Sequence, residues 1–190
     1  MTTAKEKTPA RLDAEASENW CDSVQEFTTF NTTENALLRA LIWCPARLIL
    51  DVASGLEEDD FFNEQARIVY RAILTVASDL DAQGYSNHEI DPVIIRDDLK
   101  ATGNYGDTIH HLMLSITAAG EPAPIPPIVH QLARYLRVER LRRALDTVGH
   151  GLIAAAQDSH DHILVAIART QHLQALARRA GVEQQAGEHA

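Results

Sequence analysis

Apolar residues recur at steps of three and four positions along most of this chain, which is the spacing of one face of an α-helix. One clear run consists of Ala66, Val69, Tyr70, Ile73, Leu74, Ala77 and Leu80. The alternation with a period of two that marks a half-buried strand is nearly absent. The pattern therefore predicts an all-α protein of about seven helices.

Capping residues and helix breakers divide this pattern into separate helices. Asn31 with Glu34 resembles a capping box, and Asn63 is a candidate N-cap. Asp91 stands before Pro92, and proline is favoured at the first helical position. Helices are predicted to end at the glycines that follow each periodic run, which are Gly55, Gly84, Gly103 and Gly120.

The predicted helices fall into two parts between polar ends. Residues 1–30 are expected to form a disordered tail and 181–190 a flexible one, because both are polar and unpatterned. Between them we expect a globular helical subdomain at 31–118, then a proline-rich loop and a helical hairpin at 119–180. The hairpin helices are predicted over residues 128–156 and 162–179.

Composition narrows the classes of function. The formal net charge is −10, and an acidic protein repels phosphate backbones, so direct nucleic-acid binding is expected to be weak or absent. No apolar run approaches the roughly 18 residues of a membrane span, and no secretory pattern is visible. We therefore expect a cytoplasmic protein without membrane contact. Cys21 and Cys44 form neither a disulfide framework nor metal-ligand spacing.

Motifs for catalysis are missing from the sequence. A phosphate-binding loop needs Gly-Lys-Ser/Thr, and no lysine of this chain follows a glycine. The stretch HEIDP at His88 begins like a zinc-protease helix but has Pro92 where the second histidine would stand. Adjacent histidines such as His110 and His111 point about 100° apart on a helix, so we expect them to be exposed rather than metal-bound. The prediction is no catalytic residue, no cofactor and no metal.

Two segments carry dense charge of opposite sign. Five arginines lie within ten residues of the predicted long helix: Arg134, Arg137, Arg140, Arg142 and Arg143. A solvated helix face is the simplest interpretation, and contact with an acidic partner or with nucleic acid is the alternative. The acidic run Glu57–Asp60 is expected to keep a turn solvated and to favour the next helix start. At least one ring of Phe61 and Phe62 is expected to be buried.

The ordered set of segments ENALLRALIW, EEDDFFNEQARIVYRAI, IDPVIIRDDLKATG and YLRVERLRRAL resembles the N-terminal domain of DnaB-type replicative DNA helicases. The resemblance covers roughly residues 31–156. The chain departs from the family pattern at Ala66, where a histidine is usual, and keeps only Gly106 of a usual glycine pair. The resemblance implies a globular bundle of about five helices followed by a helical hairpin. In that family the domain pairs with copies of itself and contacts primase.

These observations lead to a functional hypothesis and an alternative. We expect a non-enzymatic DNA-replication module of the primosome, which forms a homodimer through the C-terminal hairpin and contacts a replicative helicase or primase. The alternative is a small nucleic-acid-binding regulator that uses the arginine-rich helix 134–143; an enzyme of unrecognised type ranks last. The predicted partner-binding residues are Arg134, Arg137, Arg140, Leu141, Arg143, Leu145, Val148 and Leu152.

Overall fold

The chain runs through seven α-helices in the computed structural model, which describes residues 33–118, 125–156 and 160–182. The helices are α1 (33–42), α2 (Ala46–Ala53), α3 (Glu64–Ala82), α4 (Pro92–Ala101), α5 (Asp107–Thr117), α6 (Pro126–Ala155) and α7 (His160–Ala180). A short 3₁₀ turn, Glu58–Asp60, separates α2 from α3. The described ranges contain one isolated β-bridge and no strand, so the predicted all-α class is confirmed.

Several helix ends lie where capping and glycine signals predicted them. The side chains of Asn63 and Asp91 each accept a hydrogen bond of 2.8 Å from the backbone N–H two residues later. Gly84 and Gly103 follow α3 and α4 with φ values of 84° and 73°. Such left-handed backbone is adopted readily only by glycine, so these residues stop their helices.

Other boundaries differ from the prediction. Helix α2 begins after its N-cap Pro45 and ends at Ala53, two residues before Gly55. Helix α6 starts at Pro126 because proline is preorganised for the first helical turn. The same helix continues through Gly149 and Gly151, since each glycine costs only about 1 kcal/mol and tertiary packing can offset that. The predicted N-terminal tail, the cap at Asn31 and most of the proline-rich loop lie outside the described residues.

One main core holds α1 to α5 together with the first half of α6. Fully buried members include Leu37, Leu41 and Tyr70 from the first part of the chain. Helix α6 adds Val129, Ala133 and Leu136 to the same core, where it lies against α2 and the 3₁₀ turn. Leu136 is only 1% exposed, so it belongs to this core and not to the surface of the hairpin.

Helices α6 and α7 form the predicted hairpin and have a small core of their own. It consists of Leu141, Leu176 and Ala180, flanked by half-buried Val138, Ala144, Leu173 and Ala177. The described residues all lie in one compact unit, Thr33–Ala190, and the proposed border near residue 118 stays a prediction. No helix in the described ranges combines the length and the apolar composition needed to cross a bilayer.

Candidate interaction site

The arginine-rich part of α6 divides between the interior of the chain and its surface. Arg137, Arg140 and Arg143 recur every three residues, so they lie near one face of the helix. This face points at the acidic turn, a name we use for Glu57–Asp60, and at Gly55 just before it. The other two arginines of the run are exposed: Arg134 and Arg142.

Asp60 is the buried centre of this contact. Its Oδ2 accepts hydrogen bonds from the Glu57 N–H at 2.8 Å and from Arg179 Nη2 at 3.0 Å. Its Oδ1 lies 3.3 Å from Arg140 Nη1, and its backbone carbonyl accepts from Arg143 Nη2 at 2.9 Å. A fully buried carboxylate needs paired charges, and both hairpin helices provide them. The expectation that the whole acidic run is solvated is therefore wrong for Asp60.

Glu57 lies at the outer edge of the same cluster. Its Oε2 is 2.6 Å from Arg140 Nη1 and 3.0 Å from Arg179 Nη1. The hydrogen bond from Arg140 is the main reason that the pKa of Glu57 is lowered from its ordinary value. Because 55% of the Glu57 side chain is exposed, water screens these pairs and reduces their contribution to stability.

Glu34 is a second buried carboxylate, and it connects α1 to the start of α3. Its side chain accepts hydrogen bonds from the backbone N–H of Phe62 and, at 3.4 Å, from that of Asn63. Burial is the largest influence on Glu34 and raises its pKa, while these hydrogen bonds and the nearby Arg143 and Arg67 oppose that shift. Glu34, the predicted partner of Asn31 at the start of α1, thus makes a tertiary contact with the turn before α3.

The two phenylalanines after the acidic turn lie in opposite environments. Phe61 is fully buried, and its ring centroid is 4.7 Å from that of Tyr70 in the main core. Phe62 is 52% exposed, with the guanidinium of Arg143 at 5.5 Å from its ring centroid, within reach of a cation–π contact. The prediction that at least one of the two rings is buried is confirmed.

The far half of the hairpin presents many apolar side chains to solvent. We call this set the distal apolar surface, and its members are Leu145, Leu152, Ile153, Leu164, Val165 and Ile167. Each is at least 38% exposed, and Ile153 reaches 66%. None of them belongs to either hydrophobic core of the described residues. Single exposed leucines are ordinary, but a concentration of this kind is typical of an interaction surface.

The predicted partner-binding residues thus occupy three environments. Arg137, Arg140 and Arg143 contact the chain's own turn, and Leu141 is buried between α6 and α7. The exposed ones are Arg134, Leu145 and Leu152, and Val148 is half-buried. Their role in binding a partner stays a prediction. Sequence analysis missed Asp60, Glu34 and Arg179 as members of the cluster, although the matching of an acidic run with an arginine run was a signal for it.

Metal-ligating groups are not assembled in the part of the chain that the structure describes. No set of three or more His, Cys, Asp or Glu side chains there could hold an ion. His110, from the histidine pair noted above, lies with its Nδ1 2.8 Å from the Tyr105 hydroxyl and is engaged locally.

Comparison with known proteins points to one family. A family model described as "DnaB-like helicase N terminal domain" matches residues 30–131. Among solved structures, the crystal structure of the N-terminal domain of DnaB helicase from Mycobacterium tuberculosis matches with a TM-score of 0.52 and 21% sequence identity. That match covers 74% of this chain and 94% of the other, and at this identity it shows a shared fold. No curated protein matches the sequence.

Proposed function

The chain belongs to the family of DnaB-like helicase N-terminal domains, and on this premise we propose that it is a non-enzymatic interaction module of DNA replication. It pairs with a second copy of itself through the α6–α7 hairpin and contacts a replicative helicase or primase in the cytoplasm. The single observation that carries the pairing is the distal apolar surface. Family membership supports the replication setting and the second partner.

Pairing two hairpins would bury apolar area that a single chain leaves in water. Two copies of α6 and α7 form a four-helix arrangement, and a two-fold axis lets the same surface meet its copy. Burying one leucine side chain fully contributes roughly 1.5–3 kcal/mol. Leu145 and Leu152 on α6 and Leu164 on α7 would bury together there. The cluster around Asp60 fixes the base of the hairpin to the body of the protein, by which we mean α1 to α5. The hairpin therefore loses little orientational freedom when two copies pair.

Light scattering at micromolar concentration tests the dimer. We expect twice the chain mass of 21.0 kDa for the wild type and the mass of one chain for Leu145→Asp, because an unpaired carboxylate would be buried at the seam. Leu114→Asp is the matched control, since Leu114 is 54% exposed but lies on α5. A single-chain mass at every concentration refutes the pairing. A dimer that survives Leu145→Asp means that the interface lies elsewhere.

The second partner needs a separate measurement. Purified replicative helicase and primase from the same organism can each be titrated into the protein in an ultracentrifuge. We expect a complex with one of them. If neither sediments with the protein at micromolar concentration, this part of the proposal fails while the homodimer remains open to its own test.

The nucleic-acid alternative receives less support from the described contacts. Of the arginine run, Arg140 and Arg143 bind the chain's own acidic turn and Arg137 lies beside the Gly55 carbonyl, which leaves Arg134 and Arg142 as the exposed members. We propose that direct binding of DNA or RNA is weak or absent. A salt titration against single-stranded and duplex DNA tests this, because a phosphate-binding surface loses affinity steeply as salt rises.

A further inference from the structure

A groove lies between the end of α2 and the first half of α6. Its walls include Val52 and Gly55 on one side and Ala133, Arg137 and Val138 on the other. Its volume is about 1060 Å³, which is room for several side chains and not only for one small ion. The exposed arginines of the run, Arg134 and Arg142, also line it.

Some of the charged side chains in the groove have partners of opposite charge and others do not. Arg142 pairs with Glu139 on its own helix, and His130 lies 3.5 Å from Asp51. Arg134 has no ion pair or hydrogen bond with any residue that the structure describes. Within the described part of the chain, Arg134 therefore leaves a positive charge without a counterion at the rim of the groove, although the sequence as a whole is acidic.

Arg137 lines the same groove, and its guanidinium is incompletely hydrogen-bonded. Its Nε is buried and has no hydrogen-bond partner within the described ranges. Its Nη1 reaches the Gly55 carbonyl only at 3.5 Å, the outer limit of a hydrogen bond. A buried donor without an acceptor costs free energy, so the Arg137 guanidinium gains if it turns toward an acceptor that enters the groove.

Apolar surface adjoins the two arginines. Val52 and Ala133 are buried in the groove wall, and Tyr135 stands at the rim with 50% of its surface exposed. The Tyr135 hydroxyl accepts a hydrogen bond from Gln131 Nε2 at 2.8 Å, which holds the ring in place. A positioned tyrosine ring offers flat contact area at low entropic cost. The groove thus combines cationic donors with an apolar wall.

We propose that this groove docks an acidic peptide segment of another protein. Its carboxylates pair with Arg134 and Arg137, and an apolar side chain beside them packs on the wall next to Tyr135. The proposal goes beyond the dimer and the replication partners named above and does not depend on them.

A peptide fits the groove better than a nucleic acid. Asp51 and Glu139 also line it, and they would repel the regularly spaced phosphates of a nucleic-acid backbone. A peptide carries negative charge only at its acidic side chains. Its backbone N–H groups can donate hydrogen bonds to those two carboxylates. Its groups therefore complement both signs of charge in the groove.

Fluorescence anisotropy with a defined probe tests the proposal. The probe is a labelled peptide of about 12 residues, about 40 Å when extended, with glutamates on both sides of a central leucine. We expect it to bind the wild type, and the same peptide with glutamine for glutamate to bind about tenfold more weakly, or about 1.4 kcal/mol. Arg134→Glu should weaken binding of the acidic peptide by at least as much, about tenfold. Arg96→Glu is the control, because Arg96 is a partly exposed arginine on α4 outside the groove.

Two further arms separate the occupants. Leu145→Asp should bind the acidic peptide like the wild type, which distinguishes this groove from the dimer surface. In a spectrum of arginine side chains, the Nε–H resonance of Arg137 should shift when the acidic peptide is added. Because Arg134 is exposed, its charge reversal should leave the thermal unfolding temperature unchanged.

Four results overturn the proposal. They are equal binding of the glutamate and glutamine peptides, unchanged binding by Arg134→Glu, no binding at a peptide concentration of about 1 mM, and tighter binding of oligothymidylate than of the acidic peptide. The last result assigns the groove to phosphates.

Discussion

Arg179, near the end of α7, donates a 3.0 Å hydrogen bond to the buried carboxylate of Asp60, which stands 119 residues earlier in the chain. Arg140 of α6 approaches the other oxygen of the same carboxylate at 3.3 Å. One side chain of the body therefore holds both helices of the hairpin at their base. This arrangement leaves the far half of the hairpin, with its apolar side chains, projecting from a fixed support.

Removing the charge of Asp60 should destabilise the fold strongly. In Asp60→Asn, Arg140 and Arg179 lose a buried counterion, so we expect the free energy of unfolding to fall by at least about 2 kcal/mol. Urea denaturation measures it. Asp97→Asn is the control, because Asp97 is 60% exposed and pairs with Arg96 on the surface of α4; it should change stability by less than about 0.5 kcal/mol. Equal effects of the two changes would show that Asp60 is not the centre of the cluster.

The neighbouring phenylalanines provide a matched pair for a second prediction. Phe61→Ala should cost about 3–5 kcal/mol of unfolding free energy, because it opens a cavity beside Tyr70 in the main core. Phe62→Ala should cost less than about 1 kcal/mol, since that ring is half-exposed and lies within cation–π distance of the Arg143 guanidinium. Chemical denaturation of the two variants gives the comparison. A larger loss for Phe62 would contradict the described burial.

Local rules account for the parts of the fold that the sequence predicted. Asn63 and Asp91 cap helices through hydrogen bonds to residues two positions away, and Gly84 and Gly103 end helices through their own backbone conformation. Each of these signals acts over a few residues, so it is visible in one sequence. The helix order and the all-α class followed from them.

Contacts between distant segments could not be predicted in the same way. Asp60 and Arg140 are 80 residues apart, and no periodic pattern states that the acidic turn and the arginine run meet. Composition suggested that charged side chains are solvated, which holds for Glu57 but fails for Asp60. The apolar pattern of α6 also continues unchanged along the helix, so it does not show that Leu136 packs in the main core while Leu141 packs against α7. Only the tertiary packing shows where the helix leaves the main core.

The acidic turn should give stability a specific pH dependence. The hydrogen bond from Arg140 lowers the folded-state pKa of Glu57 below its ordinary value of 4.5. Glu57 therefore stabilises the fold above about pH 4.5, and this contribution is lost as the pH falls through its folded-state pKa. Because Glu57 is more than half exposed, we expect less than about 1 kcal/mol.

Comparing the wild type with Glu57→Gln isolates this effect. The wild type should be the more stable protein in urea denaturation at pH 7, and the difference should shrink as the pH falls below 4.5 and through the folded-state pKa of Glu57. Glu34 has a raised pKa and the opposite pH dependence, but it is present in both proteins and cancels in the difference. A difference that grows as the pH falls would contradict the assignment.

The purified chain should not hydrolyse ATP. Its sequence has no Gly-Lys-Ser/Thr to cradle phosphates, and typical enzymes turn over at about 1 s⁻¹ or faster. A phosphate-release assay with and without DNA measures this directly. ATP turnover at such a rate that stays with the protein through purification and is absent from a buffer control would refute the non-enzymatic assignment.

Cys44 should be protected from thiol reagents in the native protein. It is 3% exposed, its Sγ–H donates to the Ala40 carbonyl at 3.0 Å, and burial raises its pKa to about 11. The thiolate is the reactive form, and with this pKa only about 0.1% of the Cys44 thiol is ionised at pH 8. In a Cys21→Ser variant, which leaves Cys44 as the remaining thiol, we expect the native protein to react at least about a hundredfold more slowly than in denaturant. Reaction at the rate of the unfolded chain would mean that α1 and α2 separate readily and that the core around Cys44 is open to solvent.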